Sequence, residues 1–212
     1  MYIAIEGIIG VGKTTLARLL QPVFEAELLL EAFEENPFLA DFYGDRDRYA
    51  FQTQIFFLLN RYRQQQSLVK YDFQNTNLLT DYCFEKDKIF AQLNLLNNEL
   101  DTYQLVYNAL VERIVAPDLI VYLKAKPEVA MQRIATRDRT YERQMDSKYL
   151  EALHETYETF FTDYKSVPVL SIDTNALNYV IYPEHLSFIT KRIHATLGIP
   201  PFQPELPLKG DL

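Results

Sequence analysis

The sequence has no tryptophan and a single cysteine, Cys83. One cysteine excludes an internal disulfide framework. The three histidines, His154, His185 and His194, lie at no metal-ligand spacing from one another or from Cys83, so no zinc site is proposed and Cys83 is expected to be a buried core thiol. No apolar run approaches the roughly 20 residues of a membrane-crossing helix. Positive charge is short: 21 Lys and Arg stand against 29 Asp and Glu, a net charge of −8. That balance argues against a general nucleic-acid binder. There is no internal repeat, linker or low-complexity tract, and the chain begins directly with a predicted strand, which gives no targeting segment. The expectation is one soluble, cytoplasmic domain over residues 1–212, with no membrane or nucleic-acid partner.

What the chain does have is 48% hydrophobic residues and a glycine-rich stretch near its start. Gly7-Ile8-Ile9-Gly10-Val11-Gly12-Lys13-Thr14 fits the pattern Gly, four residues, Gly-Lys-Thr. The apolar Tyr2–Glu6 before it reads as a buried strand, and Thr15–Leu20 after it as a helix. In that context glycines let backbone N–H groups curl around phosphate oxygens, and the helix N-terminus adds free donors and a positive dipole end. Lys13 places a cation on the phosphates, and Thr14 offers a hydroxyl to magnesium. The stretch predicts a nucleoside triphosphate site.

Further strands are predicted at 27–31, 77–80, 118–123 and 167–172. Helical segments are predicted from Asn36-Pro37 through Tyr43, and over 46–71, from Phe84, 101–115, 127–137, 147–164 and 183–197. The proline-rich segment from Gly198 reads as extended. Alternating strands and helices predict an α/β fold whose parallel sheet is covered on both faces. Its ligands belong beyond the carboxyl ends of the strands.

Glu31 and Asp81 are predicted at that rim, ending the second and third strands. Glu31 could accept the proton of an attacking hydroxyl, or be a surface or capping glutamate beside Glu34 and Glu35. Asp81 could hold magnesium or cap a helix. Gln54 and Arg61, seven residues apart, share a helix face. An amide and a guanidinium there can read a base edge, although core packing by the neighbouring Phe56 and Phe57 is the blander reading. Arg133 and Arg137, with Arg139 and Arg143 just beyond, predict a cationic lid over the phosphates.

These pieces together resemble the deoxynucleoside kinase family, and most closely its bacterial deoxyadenosine/deoxyguanosine kinase branch. The resemblance runs from Met1 to about Leu197. It rests on the phosphate loop, on Glu34-Glu35-Asn36-Pro37-Phe38-Leu39 with Phe42-Tyr43, on Phe51-Gln52-Thr53-Gln54 with Asn60-Arg61-Tyr62-Arg63, on Asp81-Tyr82 with Ile89-Phe90-Ala91, and on the spacing Arg133, Arg137, Arg139. It implies a P-loop kinase fold with a five-stranded parallel sheet, helices on both faces and an arginine-rich lid at about 137–146. It implies ATP and Mg²⁺ as cofactors, with Gly7 to Thr15, Arg137 and Asp173 on the donor nucleotide and Thr14 and Asp81 on the metal. Glu31 resembles the catalytic base, assisted by Lys13, Arg133, Arg137 and Arg139. Gln54, Arg61 and Phe90 resemble the residues around the acceptor base, and Tyr43 and Glu142 the pair at the sugar 3′-hydroxyl. Asp87 resembles an aspartate that reads purine edges, with Lys86 as the alternative in that alignment. One departure stands out: the family's acidic-Arg-Ser motif is Asp81-Tyr82-Cys83 here, so its arginine is absent. Either a lid arginine takes its place or the hydroxyl is positioned differently.

The resemblance implies phosphoryl transfer from ATP to the 5′-hydroxyl of a purine deoxynucleoside, by a homodimer joined through the helix from Arg46 and the one ending near Val115. The rival readings are a thymidylate-kinase-like nucleoside monophosphate kinase and a non-catalytic nucleotide-binding switch.

Overall fold

Five apolar segments pair into a single parallel sheet in a computed structural model of the chain, which describes residues 1–143 and 145–200. The strands are β1 (Tyr2–Glu6), β2 (Ala26–Leu29), β3 (Asn77–Thr80), β4 (Leu119–Lys124) and β5 (Val169–Asp173), in the order β2-β3-β1-β4-β5. Every residue of β1 is buried. Successive side chains of a strand point to opposite faces, so both faces of the sheet centre are covered. A strand in that position reads as a continuous apolar run rather than an alternating one. Ile3, Ile5, Leu79 and Val121 are fully buried. Each contributes about 1.5–3 kcal/mol of burial, which makes the sheet a stiff platform for the loops at its carboxyl edge.

The covering helices are α1 (Lys13–Leu20), α2 (Leu39–Gly44), α3 (Arg46–Leu68), α4 (Lys86–Asn94), α5 (Asn97–Val111), α6 (Pro127–Arg137), α7 (Ser147–Asp163) and α8 (Pro183–Leu197). Their starts follow local chemistry. Proline opens α6 and α8, where its missing N–H is not needed. Asp45 and Asp146 accept hydrogen bonds from the backbone N–H groups of Arg48 and Lys148 to cap α3 and α7. A second apolar cluster, including Phe42, Leu58, Ala91 and Tyr103, ties α2, α3, α4 and α5 together beside the main core.

Several boundaries differ from the sequence expectation. β2 stops at Leu29, because its ladder with β3 ends at the pair Leu29 and Thr80, so Glu31 lies two residues beyond the strand rather than ending it. The helix expected from Asn36-Pro37 begins only at Leu39, as α2, and a 3-10 turn at Phe33–Glu35 precedes Asn36. α5 begins four residues earlier than expected and ends at Val111, six residues before Pro117 and short of the expected end at 115. The extended segment was expected from Gly198, which caps α8 with φ 68°. From residue 201 onward it lies outside the described residues. Cys83 is fully buried, as expected of a core thiol. Among the described residues, no helix is long and apolar enough to cross a membrane, and no group of three His, Cys, Asp or Glu side chains could hold a metal ion.

Candidate active site

The glycine loop leaves β1 and enters α1 with Gly10 at φ 81° and Gly12 at φ 108°, left-handed conformations that L side chains rarely adopt. α6 packs directly on the loop: a Cβ on Gly10 would lie 2.7 Å from the Ala130 carbonyl oxygen and 2.6 Å from Ile134 Cγ1. The loop is anchored from beneath by Glu6. Its carboxylate accepts from the Gly7 N–H at 2.8 Å, the Tyr157 hydroxyl at 3.0 Å and the Cys83 N–H at 2.9 Å. Lys13 Nζ donates to the carbonyls of Gly7 and Ile8 at 2.7 and 3.1 Å. Desolvation, then the nearby charge of Lys86, lowers the Lys13 ammonium to about 8.

Beside the loop is a cavity lined by Ile9, Gly10, Lys13, Thr14, Glu31, Tyr43, Gln54, Arg61, Asp81, Phe90, Arg137, Arg139 and Glu142, all of them singled out from the sequence. Phe33, Phe57 and Tyr141, which had no expected site role, and Lys86, named only as the alternative to Asp87, complete the wall with others. Thr14 Oγ1 donates to Asp81 Oδ2, and Asp81 Oδ1 accepts from the Glu31 N–H at 2.8 Å. A hydroxyl and a carboxylate side by side are the hard oxygen donors that suit Mg²⁺, which takes few protein ligands and completes its shell with water and phosphate.

Glu31 stands at the centre of a charged chain. Its Oε1 accepts from Arg61 Nε at 2.9 Å and from Nη2, and its Oε2 from Lys86 Nζ. Burial would raise its pKa, but the two cations outweigh burial and hold it well below the usual carboxylate range. Arg61 Nη1 also lies 2.7 Å from Asp87 Oδ1. Asp87 is fully buried, and its carboxyl is pushed up to about 6 by burial against the opposing pull of Arg61. Gln54 is also buried and donates to the Asp87 carbonyl at 3.4 Å. Thus Gln54 and Arg61 line the cavity, with Asp87 buried behind them and outside its wall. Lys86 converges on Glu31 nearer the phosphate loop. Of the two alternatives, Lys86 lines the cavity and Asp87 reaches it only through Arg61.

The segment expected to form the lid contributes Arg137, Arg139, Tyr141 and Glu142 to the cavity wall. Arg137 grips Glu142 with Nη2 at 2.6 Å to both oxygens and Nε at 3.2 Å, while Arg139 Nη1 lies 3.6 Å from Glu142. The Arg139 guanidinium sits 4.1 Å over the Phe33 ring, and Tyr141 stacks 6.1 Å from Tyr43. Arg143 pairs with Asp138 at the exposed edge, and Gln144 lies outside the described residues. No lid arginine touches Glu31, and Tyr82 is fully buried away from the cavity, so the cation at that carboxylate comes from α3 and α4 instead.

Two expected residues sit differently. Arg133 points back under the loop, donating to the carbonyl of Val11 at 3.0 Å and to Thr174 Oγ1 and O at 3.2 and 2.7 Å. This clamps the phosphate loop to the segment after β5. Asp173 turns away, accepting from the Asn175 backbone and side-chain N–H groups, both at 2.8 Å. A second hollow on the outer side of the loop is lined by Gly12, Thr15, Arg133, Arg137, Asn178 and Tyr179, among others, and not by Asp173. Tyr179 donates to the Gly12 carbonyl at 3.1 Å. Its tie to the loop had no local sequence signal, because the contact spans 167 residues.

A family model described as deoxynucleoside kinase matches residues 3–197. The chain belongs to the deoxynucleoside kinase family. The kinase is 33% identical to a deoxyguanosine kinase of Bacillus subtilis, over 85% of this chain and 89% of that one. It is 34% identical to a deoxyadenosine kinase of Dictyostelium discoideum, over 90% and 78% of the two chains. The structure of deoxyadenosine kinase from M. mycoides with bound dATP superposes with a TM-score of 0.80 at 26% identity, covering 92% of this kinase and 99% of that chain.

Proposed function

We propose that this kinase transfers the γ-phosphoryl group of ATP to the 5′-hydroxyl of deoxyadenosine or deoxyguanosine, as a single domain with residues 137–146 as its lid. The observation that carries the proposal is the Glu31 carboxylate. It lines the same cavity as Lys13 and Thr14, and opposing cations keep it ionised. An ionised carboxylate at that place suits a neutral hydroxyl acceptor and repels one that already carries a phosphate.

The loop N–H groups and the α1 N-terminus hold the donor phosphates, and Lys13 exchanges its two carbonyl contacts for phosphate oxygens. Thr14 and Asp81 would hold Mg²⁺, which when bound neutralises phosphate charge. Glu31 takes the 5′-hydroxyl proton as that oxygen bonds the γ-phosphorus and the bond to the departing ADP breaks. Gln54 and Arg61 face the base, Phe90 packs on it, and Tyr43 with Glu142 faces the sugar 3′-hydroxyl. Arg137 and Arg139 bring lid charge toward the transferred group, and the lid excludes water. Arg133 supports the donor side by holding the loop in place. The similarity to a deoxyguanosine kinase and to a deoxyadenosine kinase supports a purine acceptor. Leu59 on α3 and Leu105 on α5, both exposed, support a homodimer through those helices.

The test is an acceptor panel: ATP and Mg²⁺ with each of the four deoxynucleosides, and with deoxythymidine monophosphate. The proposal expects turnover of deoxyadenosine or deoxyguanosine. Turnover of the monophosphate alone would assign the chain to monophosphate kinase chemistry, and no turnover with any acceptor would favour a nucleotide-binding switch.

A further inference from the structure

Glu31 lies outside any regular element, so nothing in its own backbone fixes where its side chain points. Its orientation is set by neighbours. The backbone N–H is held by Asp81, Oε1 by Arg61, and Oε2 by Lys86. Arg61 is in turn seated against Asp87. Consecutive residues at the start of α4 therefore hold the carboxylate by two routes, Lys86 directly and Asp87 through Arg61. The Lys86 side chain is only 8% exposed, and its ammonium lies 5.7 Å from the ring of Phe90, one helical turn further along α4. A long cationic side chain that is shielded from water, packed on an aromatic ring and aimed at one carboxylate oxygen differs from the usual solvated lysine.

We propose that Lys86 is a positioning residue for Glu31. It pins Oε2, and so fixes which lone pairs of the carboxylate face the acceptor hydroxyl. This rests on the assignment of Glu31 as the base. Lys86 neither gives nor takes a proton. The proton passes from the 5′-hydroxyl to Glu31 as the new O–P bond forms and the bond to ADP breaks. Without Lys86 the carboxylate keeps Arg61 on Oε1 and is free to swing about that contact. Misplacement of a reacting group by about 1 Å lowers rate far more than it lowers binding.

The experiment compares the wild-type kinase with Lys86→Met, which keeps the length and apolar stem, and Lys86→Arg, which restores a cation. Each is assayed at saturating ATP and Mg²⁺ with the best deoxynucleoside, and each is checked for its thermal midpoint and ATP binding. The inference expects kcat of Lys86→Met to fall at least tenfold, with KM for the deoxynucleoside and ATP binding held within threefold. It expects Lys86→Arg to recover kcat to within threefold of wild type. A fall of less than tenfold in Lys86→Met overturns the inference, as does a loss carried by KM or an arginine variant as slow as the methionine one. If Lys86→Met does not fold, Lys86→Gln is read against the same limits. Absence of turnover in the wild-type kinase would instead overturn the assignment of function on which the inference rests.

Discussion

Replacing Arg61 by leucine should expose the energetics of the site most sharply. The guanidinium is 4% exposed and bridges two carboxylates, Glu31 and Asp87. Removing one member of a buried ion pair leaves an uncompensated charge and costs about 3–5 kcal/mol. For a chain of this length that corresponds to a midpoint lowered by about 6–20 °C. The loss should fall toward the lower end, because Glu31 keeps Lys86 and Asp87 can neutralise itself. With Arg61 present its carboxyl already titrates at about 6, above its ordinary value of 3.8. A carboxyl raised in the folded state binds its proton more readily there than in the unfolded chain, so stability falls as pH rises through that window. Losing Arg61 raises the Asp87 carboxyl further, so the deficit of the variant should be larger at pH 8 than at pH 5.5. The second arm is Arg61→Leu combined with Asp87→Leu. A buried ion pair replaced by apolar residues is often close to neutral, so the double variant should recover at least half of the lost midpoint. Calorimetric unfolding of wild type, both singles and the double, at the two pH values, measures all of this. If the double variant loses the sum of the two singles, or if the deficit does not grow with pH, the Arg61–Asp87 coupling described here is wrong.

Three further outcomes are expected. Gly10→Ala should weaken ATP binding at least tenfold by titration calorimetry, since the new Cβ meets the Ala130 carbonyl at 2.7 Å and the backbone sits at φ 81°. Thr14→Val should raise the Mg²⁺ concentration for half-maximal rate about tenfold, the equivalent of roughly 1.4 kcal/mol, with the deoxynucleoside KM little changed. Arg137→Ala should lower kcat by about 10²–10³, the loss typical of one charge-stabilising donor, in steady-state assays at saturating substrates.

Much of this arrangement was legible in the sequence because its signals are local. β3 falls at Asn77–Thr80, and α6 and α8 start at Pro127 and Pro183, as read from composition and proline chemistry alone. Gln54 and Arg61 line one cavity because two helical turns return a side chain to the same face. What was not legible depends on partners distant in the chain. The end of β2 is decided by where β3 stops pairing, not by the apolar run through Leu30. Lys86 meets Glu31 across 55 residues, and Arg133 reaches Val11 across 122, contacts that no spacing rule anticipates. Arg133 reads as a lid charge in sequence because its helix also carries Arg137, yet both terminal nitrogens of its guanidinium donate to carbonyl and hydroxyl groups beneath the loop. Asp173, expected just past the last strand, is instead the final residue of β5, and its carboxylate accepts from Asn175 in an Asx-type turn rather than lining the neighbouring hollow.

The central claim is that Glu31 takes the proton of a deoxynucleoside hydroxyl while the glycine loop holds the donor. Glu31→Gln keeps the shape and one acceptor for Arg61 but removes the base. The direct measurement is kcat and KM of this variant beside wild type, with ATP, Mg²⁺ and the preferred purine deoxynucleoside. The account predicts a kcat lowered by about 10²–10⁴ with the deoxynucleoside KM within threefold, the range expected for loss of a general base. A kcat within threefold of wild type would contradict it.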